Sequence, residues 1–121
     1  MSPLGWVAVG AIGGASALTR FFVDGIVAPR IGSDFPAGTL VVNASGALLL
    51  GLLTGLALSG ESLLLFGTAS IGSYTTFSTW MLETQRLNEA GDQINASANL
   101  LVSIGVGLGA AALGRVIGSH L

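Results

Sequence analysis

The chain has 121 residues with four basic and six acidic side chains, for a net charge of −2, and its mean hydropathy is +0.81. It has no cysteine, which excludes disulfides, thiolate metal sites and cysteine nucleophiles. The weak negative charge gives no footing for nucleic-acid binding, and the charges are too few to cover the outward faces that soluble helices need.

Charged residues bound four uncharged windows, 1–19, 35–60, 62–82 and 93–114. A bilayer crossing takes about 20 apolar residues. The windows therefore predict an all-α membrane protein of four transmembrane helices, with spans at about 4–27, 37–58, 62–87 and 94–117. One domain then uses residues 1–121. The 19 glycines suit helices packed in lipid, where small residues let backbones approach.

In span one, Ala15-Ser16-Ala17 looks like a signal-peptidase site. No basic residue precedes the apolar stretch, so it is read as a retained span. Gly10-x-x-x-Gly14 is a packing motif of low specificity. The uncharged part of the span is short, which places Arg20 inside the helix. An ionisable group at membrane depth is functional by default. The competing reading is an arginine that snorkels to the interface, paired with Asp24 one turn on. Asp24, Pro29, Arg30, Gly32, Asp34 and Pro36 mark the junction that follows as a loop.

Span two carries Asn43 a few residues inside it. A carboxamide in hydrocarbon needs partners; it can bridge helices or present N–H donors to an anion. Ser59-Gly60-Glu61 is a very short turn, and connections this short force neighbouring spans antiparallel. Both termini then share one side of the membrane.

Span three holds the least lipid-like run, Gly72-Ser73-Tyr74-Thr75-Thr76-Phe77-Ser78-Thr79-Trp80. Polar or non-helical backbone at that depth is tolerated only where protein or a water-filled path surrounds it. An interruption near residues 72–76 is expected, and with it a site. Phe77 and Trp80 share a helix face. Such a pair either packs a core or turns the positive edges of its rings toward an anion. Glu83 lies one turn further, where the plain alternative is a surface carboxylate.

In span four, Asn95, Asn99 and Ser103 recur every four residues and Gly107 continues the stripe. It reads as a helix–helix seam or a solvated track. Gly105-x-x-x-Gly109 is a second packing motif of low specificity. Asn43-Ala44-Ser45 and Asn95-Ala96-Ser97 match the glycosylation pattern but lie in or beside spans. His120 is assigned nothing. No Ser/His/Asp set, metal cluster or phosphate loop exists, so an enzyme is not expected. Arg20, Arg30 and Arg86 belong to the side of loops one and three, and Arg115 to the other. The count favours placing those loops in the cytoplasm, but with Arg20 embedded the margin is one residue, and so slight a bias permits insertion both ways up.

Taken together these motifs resemble the Fluc (CrcB-like) fluoride channels over nearly the whole chain. The resemblance rests on Gly13, Ala17 and Arg20 in span one, with Ser16 replacing a Gly. In span two it rests on Phe35-Pro36-Ala37-Gly38-Thr39-Leu40-Val41-Val42-Asn43 followed by Gly46 and Gly51. In span three it rests on Gly72, residues 75–79 and Glu83, and in span four on Asn99 and Ser103. It implies passive fluoride efflux across a bacterial inner membrane by an antiparallel dual-topology dimer embedded in membrane lipid. It also implies a central structural sodium ion on the backbone carbonyls of Gly72 and Thr75. The fluoride route would run past Phe77, Trp80, Asn43, Ser78, Thr79, Asn99, Ser103, Arg20 and Glu83. Trp80 stands where the family usually has a second Phe, and Ser73 and Tyr74 replace the common Gly and Phe. Some members are heterodimers, so the partner is a second copy or a paralogue. The rival class is the small multidrug-type four-span transporter, which needs a membrane-embedded acid in span one; the acid nearest that position is Asp24. A structural or assembly subunit would leave residues 75–79 without a purpose.

Overall fold

The computed structural model describes residues 1–31 and 34–121. Its elements in chain order are α1 (Pro3–Ile31), α2 (Ala37–Gly55), α3 (Gly60–Leu63), a π-helical run (Leu64–Ile71), α4 (Gly72–Tyr74), α5 (Ser78–Glu89) and α6 (Gln93–Ser119). Three of these, over Pro3–Arg30, Ala37–Gly55 and Gln93–Ser119, are long and apolar enough to cross a membrane. The third hydrophobic window is not one helix. Its first limb changes from α to π winding, and the chain then breaks between α4 and α5. The interruption expected near residues 72–76 is therefore present, centred slightly later.

α1 differs from expectation at its end. It runs through Asp24 and Pro29 to Ile31, where the sequence suggested a loop. A proline removes one helical amide and crowds the carbonyl four residues back. Near a terminus that loss is small, and the Arg30 guanidinium donates to the Ile26 carbonyl at 2.8 Å. The α5–α6 reversal is compact. Gly91 takes the left-handed conformation (φ 79°) that ends a helix. Asp92 then caps α6, its Oδ1 accepting the Asn95 amide at 3.2 Å and its Oδ2 the Asn95 side-chain N–H at 2.8 Å. Asn95 thus turns back to its own cap rather than along the polar stripe.

The packing is built on glycine. A methyl group on Gly51 would collide with the Ala111 carbonyl, and one on Gly55 with the Arg115 carbonyl. In return Gly114 faces the Leu48 carbonyl and Gly118 the Leu52 carbonyl. Two small-residue pairs four apart therefore mesh α2 with α6 backbone to backbone. The motifs singled out from sequence behave otherwise: Gly10, Gly14, Gly105 and Gly109 meet nothing within 4 Å. Large apolar side chains point outward, among them Trp6, Phe21, Phe22, Leu101 and Leu108. The fully buried positions hold Val42 and Asn99. An interior of small and polar groups inside an apolar shell is the pattern expected when lipid is the solvent.

Candidate functional site

α2 and the broken segment meet where Gly46 leaves no room for a side chain. A methyl group there would strike the Thr75 methyl and lie 3.4 Å from the Tyr74 ring. This close approach brings Asn43, one turn earlier on α2, against the break. Asn43 Oδ1 accepts the Thr76 amide at 2.8 Å, and its Nδ2 donates to the Thr76 carbonyl at 2.8 Å. One carboxamide thereby satisfies both backbone groups of an unwound residue in a setting where leaving them unpaired is costly. Tyr74 is fixed in turn by a 2.9 Å hydrogen bond between its hydroxyl and that of Ser45.

The break frees two carbonyls. In a continuous helix the Gly72 oxygen would accept the Thr76 amide and the Thr75 oxygen the Thr79 amide. Thr75 leaves the helix at ψ 163°. The Thr76 amide has gone to Asn43, and the Thr79 amide donates to Thr76 Oγ1 at 3.1 Å, in the first turn of α5. Uncommitted carbonyls of this kind are suited to a hard cation such as sodium.

Phe77 immediately precedes α5 and is 70 % exposed in this chain, so it does not fill the protomer's core. Its ring meets Trp80 edge to face, with centroids 5.8 Å apart at 81°. The indole is tied down: Trp80 Nε1 donates to the Asn99 carbonyl at 2.8 Å. Asn99 Nδ2 donates to the Trp80 carbonyl at 3.2 Å and to Thr84 Oγ1 at 2.8 Å, and Ser103 donates to Asn99 Oδ1 at 3.5 Å. Both hydrogens of the Asn99 amide are engaged, whereas among the described residues Asn43 keeps one uncommitted. Ser78 is exposed, its hydroxyl 3.5 Å from that of Thr76.

Two spaces meet at Thr76. A groove of about 700 Å³ is lined by Asn43, Gly72, Thr75, Thr76, Phe77 and Trp80 together with apolar residues of α2 and the π-helical run. A smaller chamber of about 180 Å³ lies between α1, α2 and α5, lined by Arg20, Asp24, Thr39, Thr76 and Thr79. Arg20 and Asp24 face this chamber together without forming an ion pair among the described residues. Glu83 is not a plain surface acid. Its Oε1 is buried with no hydrogen-bond partner among the described residues, and its carboxylate lies close to Thr39. Sequence reasoning named Thr39 and Thr76 as members of motifs but gave neither a place in the site. The signal for Thr76 was its place beside the glycine-initiated break; for Thr39 it was a hydroxyl at the start of an otherwise apolar span.

Such a chain defines a class: a small helical membrane protein whose broken segment carries polar groups into its interior. The profile of the family described as CrcB-like protein, Camphor Resistance (CrcB), matches residues 6–115, and the chain belongs to that family. It is 59 % identical over 110 residues to the fluoride-specific ion channel FluC 2 of Mycolicibacterium paratuberculosis, covering 91 % of this chain and 90 % of the relative. It is 54 % identical over 112 residues to FluC 2 of Mycobacterium tuberculosis strain H37Rv, covering 93 % and 89 %. It is 41 % identical over 121 residues to FluC 1 of Symbiobacterium thermophilum, covering 95 % and 98 %.

Proposed function

We propose that this protein is a fluoride channel that lets fluoride leave the cell passively across the inner membrane. The relatives' names support the ion, and one observation carries the mechanism: the Asn43–Thr76 clamp that opens the third segment. The four-span arrangement follows if the broken segment, residues 60–89, completes a crossing as two limbs. The slight arginine bias then supports an antiparallel dual-topology dimer.

In this reading fluoride passes along the exposed Phe77 face. Ring edges and the free Asn43 N–H replace part of its hydration, with Ser78, Thr76 and Thr79 hydroxyls continuing toward the chamber at Arg20. A lining of donors and positive ring edges favours a small anion that is hard to dehydrate. Asn99, with Ser103 behind it, holds Trp80 in place. Gly72 and Thr75 would hold the structural sodium ion through their carbonyls, and the ion would supply positive charge that keeps like-oriented carbonyls together.

A paralogue as the partner has its own support, since relatives of this chain carry the numbers 1 and 2 and Trp80 replaces a family Phe. Fluoride efflux from liposomes holding this chain alone tests the reading. Saturable efflux supports a self-sufficient channel. Efflux only after a paralogue is added assigns it to a heterodimer, and none in either case refutes the channel.

A further inference from the structure

The chamber of about 180 Å³ at the α1–α2–α5 junction contains a charge that conduction by donors and ring edges does not call for. Arg20 and Asp24 both project into it from α1, one helical turn apart. Thr39, only 3 % exposed, forms part of its wall. Asp24 is seated against α2: a methyl group on Gly38 would collide with its carboxylate. The acid is therefore built into the interface rather than trailing into solvent. Glu83 on α5 feels the Asp24 charge from the other side of the packing. Among its lining residues the ionisable groups are Arg20 and Asp24, one of each sign.

An arginine alone at this depth would be a trap. In a poorly screened space a guanidinium holds a small anion through charge and hydrogen bonds together. A conducting site must attract the ion and still let it go. We propose that Asp24 is the residue that prevents trapping: its carboxylate offsets Arg20 so that fluoride is attracted to the chamber but held only briefly. Asp24 acts through Arg20 and the local field, and is a positioning residue for conduction. The proposal rests on the fluoride-channel reading.

The test is fluoride efflux from liposomes against fluoride concentration for the wild type, Asp24→Asn and the Arg20→Gln/Asp24→Asn double variant. Asn keeps the size of Asp, so contact with Gly38 persists. Asp24→Asn should lower the half-saturating fluoride concentration roughly tenfold, the scale of one charge acting through a hydrated space over a few ångströms, and reduce maximal flux several-fold. The double variant should return the half-saturating concentration to within about twofold of wild type, because the charge that traps is gone with the charge that offsets it. Unchanged or raised half-saturation in Asp24→Asn overturns the proposal, as does an equal shift in the double variant. If the wild type carries no fluoride either alone or with a paralogue, the channel reading falls, and equilibrium fluoride binding to purified protein decides the chamber separately. Tighter binding by Asp24→Asn than by wild type sustains the proposal there, and equal binding ends it.

Discussion

Asn43 and Thr76 exchange two hydrogen bonds of 2.8 Å, so that a side chain on α2 takes the place of a turn of helix in the third segment. The clamp takes the amide that the Gly72 carbonyl would otherwise accept, the Thr79 amide turns to Thr76 Oγ1 instead of the Thr75 carbonyl, and Phe77 emerges at the edge of the break. Asn43→Ala leaves two backbone groups of Thr76 without partners. Each such loss costs about 1–3 kcal/mol, so thermal denaturation of the purified protein should show a clear drop in midpoint. Asn43→Asp keeps the acceptor, loses the donor and adds a charge beside a carbonyl. It should abolish fluoride flux even where the protein still folds.

Phe77→Ile should abolish fluoride flux while the protein still inserts and assembles. The exposed ring contributes its edge rather than core packing, and a volume-conserving apolar swap usually costs under about 1.5 kcal/mol. Trp80→Ile should reduce flux less. It gives up the indole bond to Asn99, a loss on the order of 1 kcal/mol, and should lower thermal stability by a comparable amount. Liposome flux paired with size-exclusion chromatography separates the two effects. Intact flux in Phe77→Ile would remove the ring-edge mechanism.

Sodium should act as a ligand of the folded protein. Raising sodium at constant ionic strength, with potassium or a bulky organic cation as replacement, should raise the unfolding temperature in a concentration-dependent way. A melting point indifferent to sodium would remove the cation from the Gly72 and Thr75 carbonyls.

Glycine positions should divide into two groups. Gly114→Val or Gly51→Val forces a side chain into a facing backbone and should cost more than the 1–3 kcal/mol or so typical of overpacking, seen as loss of folded protein on expression. Gly105→Ala meets open space within the chain and should leave the protomer's helical content unchanged by circular dichroism. Loss of dimer in that variant, with helices intact, would place this face at the interface between protomers.

Orientation is open to a direct reading. Paired inside and outside reporters on the C-terminus should both give signal, as expected from an arginine bias that falls to one residue once Arg20 is counted inside the membrane. Signal from one reporter alone would replace the dual-topology homodimer with an oppositely oriented partner.

The sequence by itself determined the class of protein and the address of its site. Scarce charges leave windows that only lipid can surround, and a run of hydroxyls in one of them has no place in a lipid-facing helix. Those are properties of composition and spacing along the chain. The tertiary structure decided what depends on two segments meeting. Gly46 and Thr75 have no relation in sequence, yet their contact brings Asn43 to Thr76. The glycines that mesh α2 with α6 read no differently from Gly105 and Gly109, because which face of a helix meets a neighbour is a matter of rotation that a motif four residues long does not fix. Asp24 and Thr39 fall into one chamber with Arg20 for the same reason. α1 continues past the point where proline and charge suggested a loop, and carries its acid against α2.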